Sequence, residues 1–197
     1  RGDYPQAMRY GEEALRLARS LGDRRQEATA LSNLAVFAKE MGHLEAAKHL
    51  FLQSLNLYRE LGHKWGAAPV RLNLGAIAIE RGEYVEARAW LEECFRVARE
   101  VDYREVLLHL LDNLARVEQA EGNPERSAWL LGLMNSLKEE MKYTLPESDQ
   151  KRLEKFIFEL KQAMGETAFA DAFLAGRERY LRSGNISGLV GEIVSGR

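Results

Sequence analysis

Three asparagines recur at an interval of forty residues, and their type and spacing suggest recognition chemistry. They are Asn33, Asn73 and Asn113. A side-chain amide carries a donor and an acceptor together, which suits the backbone of a bound peptide. Asparagine is a middling-to-poor helix former, so three copies in segments with helical periodicity need a reason. The structural alternative is that each amide bonds a neighbouring helix and orders the array, and the sequence leaves both interpretations open.

Other residue types that support catalysis or metal binding lack the required spacing. The histidines have neither a His-x-x-x-His pair nor a cysteine pair beside them, and they are His43, His49, His63 and His109. The single cysteine, Cys94, lies beside Phe95 on the apolar side of a predicted helix, so a buried hydrophobic role is expected rather than a nucleophile. There is no Gly-x-x-x-x-Gly-Lys-Ser/Thr run. The sequence therefore predicts a protein that is not an enzyme, with no metal and no cofactor.

Further glutamates and tryptophans have simple structural interpretations. The glutamates fall on polar helix faces, where solvation is expected, and they are Glu13, Glu45, Glu86 and Glu125. The tryptophans are expected to pack in the core or at its rim, and they are Trp65, Trp90 and Trp129.

Composition narrows the class of protein. Lys and Arg total 28 against 30 for Asp and Glu, which disfavours nucleic acid and anionic lipid as partners. No apolar run approaches the ~20 residues of a membrane span, and there is no signal-peptide pattern. A single cysteine suits a reducing compartment, so a cytoplasmic location is expected.

The asparagines belong to a repeat whose period decides the fold. Gly2, Gly42, Gly82 and Gly122 share the forty-residue spacing without an insertion. A fixed period of this size is typical of solenoids, in which each helical hairpin buries its apolar side on the next one.

Apolar periodicity and glycine breaks predict the helices. The opening helix covers about residues 4–21, with an apolar stripe of Ala7, Tyr10, Ala14, Leu17 and Ala18. Three antiparallel hairpins follow, because one Gly and one neighbour join the two helices of each. Their first helices cover about residues 25–41, 64–81 and 104–121, and their second helices about 44–61, 84–101 and 124–141.

The motifs in each repeat resemble those of the tetratricopeptide family. A Leu-small pair lies midway along each first helix, a Gly ends that helix seven residues later, and a small residue follows five positions on. The Leu-small pairs are Leu34-Ala35, Leu74-Gly75 and Leu114-Ala115, and the later small residues are Ala47, Ala87 and Ser127. A period of forty also fits HEAT-type arrays, but those do not require this combination. The resemblance implies an all-α, right-handed superhelix of antiparallel helix pairs.

The last third departs from the repeat. Leu145-Pro146-Glu147 opens a helix that runs to about residue 164, and another carries Phe169, Phe173, Leu174 and Tyr180. The expected organisation is a half repeat at 1–22, repeats at 25–62, 64–101 and 104–141, capping helices at 142–182 and a tail at 183–197, whose conformation the sequence leaves open. An atypical terminal pair is what an array needs to cover its apolar end.

This end also resembles the C-terminal arrays of large bacterial ATP-dependent regulators, including LuxR-type transcriptional regulators, and of related adenylate or guanylate cyclases. The matching residues are Leu130-Leu131-Gly132, Leu145-Pro146-Glu147, the run from Met164 to Phe169, and Gly176-Arg177. The segment after Arg182 does not match. Because the sequence opens at Arg1 in mid-repeat, we expect a fragment of a larger protein.

The tetratricopeptide resemblance places the asparagines in a concave groove. By that geometry the leucine of each Leu-small pair faces the core, while the preceding asparagine faces the groove. The expected peptide-binding residues around Asn33, Asn73 and Asn113 are Thr29, Ser32, Val36, Lys39, Leu72, Ala76, Ile79, His109, Asp112 and Arg116.

Two functions follow from the sequence. The first is a sensor or docking module that binds a protein or peptide, including another domain of the parent protein. The second is a structural scaffold or oligomerisation element, which leaves a homo-oligomer open. The sequence predicts no contact with nucleic acid or membrane.

Overall fold

The computed structural model describes residues 4–194 and shows ten α-helices in that part of the chain, with no strand among the described residues. The helices are α1 (Tyr4–Leu21), α2 (Arg24–Glu40), α3 (Leu44–Glu60), α4 (Lys64–Glu80), α5 (Tyr84–Glu100), α6 (Arg104–Ala120), α7 (Pro124–Met141), α8 (Glu147–Met164), α9 (Glu166–Ser183) and α10 (Ile186–Val194). The prediction of an all-α fold built from antiparallel helix pairs is confirmed, with most predicted helix ends within one residue.

Glycine sets the turn within each hairpin. Gly42, Gly82 and Gly122 have φ of 81°, 75° and 84°, a left-handed conformation that is costly for residues with a Cβ. The next residue then donates back to the preceding helix, as the His43 N–H does to the Ala38 carbonyl at 2.9 Å. This bond satisfies a carbonyl that the helix end leaves open, so the chain reverses in three residues. Gly2 lies outside the described residues.

The turns between hairpins follow the same interval but change residue type along the chain. Gly22 and Gly62 have φ of 68° and 62°. Asp102 and Lys142 take the equivalent places with φ of 50°, which side chains adopt only at a cost. The backbone conformation therefore persists where the sequence stops supplying glycine.

The chain forms two compact units, and unit 1 comprises Arg1–Asp102. In unit 1, α2 packs on α3 and α4 packs on α5. The Ser54 hydroxyl donates to the Ala28 carbonyl at 2.7 Å, and forty residues later the Cys94 thiol donates to the Ala68 carbonyl at 3.4 Å. Small side chains at these points hold the two helices of each hairpin close together.

Unit 2 comprises Tyr103–Arg197, and α7 is its central helix. One side of α7 packs on α6 and another on α9, where Gly132 and Gly176 face each other's helices. A Cβ at Gly132 would lie 2.1 Å from the Phe173 carbonyl oxygen, and one at Gly176 would lie 2.0 Å from that of Trp129. The backbones of α7 and α9 are therefore in direct contact. α9 packs mainly on α7 and not on α8, the helix that precedes it.

The segment that the sequence left open includes a helix. Its apolar residues are nearly inaccessible to solvent, and they are Ile186, Leu189, Val190 and Ile193. Arg126 of α7 donates to the Ile193 carbonyl at 3.5 Å. α10 is therefore part of the packed structure of unit 2.

The residues of the predicted apolar stripe lie on α1, but the stripe does not form a single buried side. Ala18 is buried, but Tyr10, Ala14 and Leu17 are exposed. The side of α1 that packs on α2 instead includes Gly11, whose Cβ position would lie 2.7 Å from Leu34. Helical periodicity identified apolar residues correctly but could not distinguish two apolar sides of one helix.

Candidate functional site

The predicted binding residues of unit 1 form one stripe on each of its first helices. On α2 they recur every three or four positions, and on α4 they do the same, so each set shares a side of its helix. We call these residues together the unit 1 face: Thr29, Ser32, Asn33, Val36, Lys39, Leu72, Asn73, Ala76 and Ile79. All are partly buried except Asn33, which is exposed.

Two members of the unit 1 face bridge successive hairpins. The Lys39 ammonium on α2 donates to the Asn73 amide oxygen on α4 at 3.3 Å, and the Lys39 side chain is only 10% exposed. The Asn73 amide nitrogen donates in turn to the Pro69 carbonyl at 3.0 Å. Both functional groups of the Asn73 amide are therefore engaged within unit 1. This places α2 and α4 side by side along the face.

Asn33 differs from Asn73 in its surroundings. Its exposed amide makes no hydrogen bond to any described residue. Val36, one turn later on α2, is partly buried. The Thr29 hydroxyl, at the other end of the stripe, lies 3.0 Å from the Tyr58 hydroxyl and donates to the Arg25 carbonyl. Asn33 is thus the amide of this face that is available to a ligand without breaking an internal bond.

The predicted residues of unit 2 lie on α6, and later parts of the chain contact two of them, His109 and Arg116. We call His109, Asp112, Asn113 and Arg116 the unit 2 face. Arg116 pairs with Asp112 through two contacts of 3.1 Å. The Arg116 guanidinium also lies 4.5 Å from the centre of the Phe156 ring, which α8 supplies. A cation over an aromatic face is attracted to it, so α8 is held against this part of α6.

The connection between α7 and α8 contacts the other end of the unit 2 face. The Tyr143 hydroxyl lies 3.4 Å from the His109 Nε2 and donates to Glu105 at 3.0 Å. Burial and the Glu105 carboxylate raise the pKa of Tyr143 to about 12, so its hydroxyl stays protonated at neutral pH. Asn113 is partly buried and makes no hydrogen bond to another described residue.

Sequence reasoning missed the residues that cover the unit 2 face. Phe156 fits the apolar spacing of the helix that ends at about residue 164, and no sequence pattern points to Tyr143. The stripe of α8 shows that one side of the helix is buried, but periodicity contains no information on which helix it meets. Pro69 was also missed, although a proline inside α4 removes a backbone donor next to the face.

The structure shows the surroundings of the cysteine and of two of the glutamates that the sequence analysis considered. Cys94 is fully buried, and burial raises the pKa of its thiol to about 12, so the reactive thiolate is absent at neutral pH. Glu86 accepts from Lys48 and Trp90, whose hydrogen bonds lower its pKa, and Glu45 pairs with Arg81. These two glutamates therefore join successive hairpins as well as meeting solvent.

Neither a metal-binding cluster nor a membrane-spanning helix is found among the described residues. No group of three or more histidine, cysteine and acidic side chains is arranged to hold a metal ion within the part of the chain that the structure describes. None of the helices described here has the length and apolar character needed to cross a membrane.

Comparison with known proteins identifies the family. No curated protein matches the chain. The sequence model of the Tetratricopeptide repeat matches residues 1–60 and 67–128, which is more than half of the 197 residues. Repeats of this kind generally mediate protein–protein interactions and are not catalytic. With the hairpin packing, the Leu-small pairs and the glycine turns, this match shows that the chain belongs to the tetratricopeptide repeat family.

Proposed function

We propose that this chain is a non-catalytic docking module that binds an extended protein segment on the unit 1 face. The exposed Asn33 amide is the observation that carries the proposal. It offers a donor and an acceptor on a face that also carries the partly buried Val36, Leu72 and Ile79. A polar group that fixes a peptide backbone, flanked by apolar surface for its side chains, is a common arrangement for peptide recognition.

The packing of the helices sets the length of segment that this face suits. Neighbouring helices pack about 8–10 Å apart, so amides on α2 and α4 span about three extended residues at ~3.3 Å each. The Asn73 amide oxygen already accepts a hydrogen bond from Lys39. A ligand at Asn73 would have to replace this bond or share the oxygen with it. Asn33 therefore makes the larger direct contribution to affinity in this proposal.

The unit 2 face enters the proposal as a second set of contacts. His109 and Arg116 contact side chains of the α7–α8 segment, and Asp112 pairs with Arg116. In our proposal a partner reaches them only after α8 moves away. In this proposal Asn113 contributes less to binding than Asn33, because Asn113 is partly buried whereas Asn33 is exposed.

For the parent protein, we propose a bacterial signalling or transcriptional regulator in the cytoplasm. The support is the resemblance of the C-terminal segment to the arrays of large ATP-dependent regulators and cyclases. In that setting the bound segment belongs to a partner protein or to another domain of the parent.

The proposal is tested by selecting peptides that bind the chain and measuring their affinities by calorimetry. A library of random twelve-residue peptides is selected on the chain, and the binders are synthesised and titrated by isothermal calorimetry. Asn33→Ala is expected to weaken binding about tenfold, the loss of roughly one to two hydrogen bonds. Asn56→Ala is the matched control, because Asn56 is also exposed but lies on α3. Equal affinity of the Asn33 and Asn56 variants would place the site elsewhere.

The alternative function is a structural scaffold or oligomerisation element. The apolar side of α1 that remains exposed favours it, because such a surface is suited to further helix packing. This alternative predicts assembly that Asn33→Ala leaves unchanged, which sedimentation measurements on that variant can distinguish from the docking proposal.

A further inference from the structure

A cavity of about 220 Å³ lies between α7, α8 and α9 in unit 2. The residues that line it recur every three or four positions on α7 and on α8, so one side of each helix faces the cavity. Its walls are apolar, and they are formed by Leu131, Met134, Leu153, Ile157 and Phe173. An apolar cavity of about 150 Å³ is large enough to hold benzene, so this one has room for an aromatic ring with a short substituent.

The packing of α7 explains why a space remains beside it. α9 comes into backbone contact with α7 where each of the two helices has a glycine. The side of α7 that faces α8 carries Leu131, Met134 and Lys138 instead, and these larger side chains keep α8 at a distance. α8 is held by a contact with another helix, where Phe156 lies over Arg116 of α6. The cavity is therefore built into the packing of unit 2.

Four polar side chains form the mouth of the cavity, and they are Asn135, Lys138, Gln150 and Glu154. The Asn135 amide donates to Glu139 at 2.8 Å, and the Gln150 amide donates to Glu154 at 2.7 Å. Each amide thus bonds a residue four positions later on its own helix, and neither bonds a described residue of the facing helix. The mouth is therefore not closed by a polar contact between these amides.

Lys138 is a charged group at the mouth whose ammonium is not engaged. Its side chain is partly buried, and it makes no hydrogen bond or ion pair to a described residue. The Glu154 carboxylate is exposed and accepts from Gln150, so solvent screens its charge more effectively than that of Lys138. A partly desolvated ammonium beside an apolar cavity favours an anionic group at the mouth.

We propose that this cavity binds a small aromatic monocarboxylate, a molecule of the size of phenylacetate. Its ring packs against Met134, Ile157 and Phe173, because a thioether and an aromatic edge both attract an aromatic ring. Its carboxylate pairs with Lys138 at the mouth. The site lies within unit 2, and binding there does not require a partner on the unit 1 face.

A titration of the chain with phenylacetate, followed through its backbone amide signals in NMR spectra, tests the site. The signals that move should belong to residues 131–138 and 150–157, with half-saturation on the order of 1 mM for so small a ligand. Phenethylamine carries an amine in place of the carboxylate and should bind at least about tenfold more weakly. Lys138→Gln should weaken phenylacetate binding about tenfold and change the binding of neutral benzyl alcohol by less than about twofold.

Three further variants complete the experiment. Lys155→Gln is the matched control, because it removes the same charge from another side of α8 and should change phenylacetate affinity by less than about twofold. Glu154→Gln removes a repelling charge and should strengthen binding about twofold. Ile157→Trp fills the cavity and should abolish the signal changes. Melting curves check that each variant remains folded.

Several results would overturn the proposal. They are unchanged signals at about 20 mM phenylacetate, equal binding of phenethylamine, and a Lys138→Gln variant that binds phenylacetate as tightly as the natural chain. Movement of the same signals by the selected peptides but not by phenylacetate would also overturn it, because the cavity would then hold a side chain of a partner protein.

Discussion

The first helices of the two units carry equivalent positions but differ in what lies over them. In unit 1 the stripe of α2 leaves Asn33 exposed, while Lys39 and Asn73 join α2 to α4. In unit 2 the stripe of α6 contacts Phe156 and Tyr143 from the α7–α8 segment. One repeat pattern therefore yields a face available to a partner in one unit and a covered face in the other.

The difference teaches that register alone does not define a binding groove. Asn33 and Asn113 stand eighty residues apart in the same place of the repeat. In unit 2 a left-handed residue, Lys142, ends α7, and the connection that follows turns back towards α6, where Tyr143 contacts His109 and Glu105. A segment outside the repeat has taken over a surface that the repeat created.

Helix crossings should show the largest difference between the units. Gly132→Ala should destabilise unit 2 by more than about 3 kcal/mol, because its Cβ would meet the Phe173 backbone, which cannot rotate away. Gly75→Ala in unit 1 should cost less than about 1 kcal/mol, since its Cβ would lie 3.0 Å from a methyl carbon of the Leu91 side chain rather than from backbone. Urea unfolding measures both, and equal losses would contradict the backbone contact.

Larger substitutions at the helix crossings of unit 1 should lower the free energy of unfolding measurably. Gly75→Leu and Ala87→Leu should each cost about 1–3 kcal/mol, because both positions are buried and extra methylene groups overpack the hairpin. Melting curves of the two variants check this. An unchanged melting temperature in either would mean that the close approach of helices in unit 1 is wrongly assigned.

Removing the side chain that covers the unit 2 face should have the next effect. Phe156→Ala should cost about 2–3 kcal/mol, less than in a two-sided core because α8 packs on neighbours from one side. Phe158→Ala on the same helix is the control, since Phe158 is 62% exposed and its loss should stay within about 0.5 kcal/mol.

The Phe156 variant also sharpens the comparison of the two faces. Without the Phe156 ring, Arg116 should become accessible to the selected peptides. α8 should also be held less firmly against α6, so its backbone amides should exchange hydrogen faster. Unchanged exchange in α8, together with unchanged stability, would show that Phe156 does not hold this helix.

The two asparagines of unit 1 should separate structural from binding roles. Asn73→Ala should cost about 1 kcal/mol, because the mostly buried Lys39 ammonium loses an acceptor. Asn33→Ala should stay within about 0.5 kcal/mol, because its amide is exposed. Thermal melts of the two variants decide this, and a larger loss for Asn33 would reverse the assignment.

The smallest expected effects come from titration. Hydrogen bonds from Tyr180 and Arg104 lower the pKa of Glu140 in unit 2 below the ordinary 4.5, so its stabilisation is present above pH 4.5 and is lost as the pH falls below it. Burial raises the pKa of Tyr180 from 10 to about 12, so its contribution is present below pH 10 and is lost as the pH rises towards 12.

Variants of this cluster test both sides of the pH curve. Glu140→Gln should flatten the acid side, and Tyr180→Phe should remove one high-pKa transition from the tyrosine absorbance titration. Tyr143 should still titrate near 12 in the Tyr180 variant. Acid and alkaline limbs that neither variant alters would show that these groups have ordinary pKa values in solution.

The sequence alone determined the repeat, the helices and the hairpin turns. This was possible because those features depend on local rules, such as the left-handed φ that Gly42 and Gly82 adopt and the apolar spacing along each helix. The same rules placed Cys94 in the core and excluded it as a nucleophile.

Only the tertiary structure decided which of the equivalent positions remain accessible. Asn73, Arg116 and Gly132 meet Lys39, Phe156 and Phe173, which lie 34, 40 and 41 residues away in the chain. Periodicity reports that a side of a helix is apolar or polar, but a contact depends on the directions of two helices at once. The exposed side of α1 and the covered side of α6 were for this reason beyond what the repeat pattern could specify.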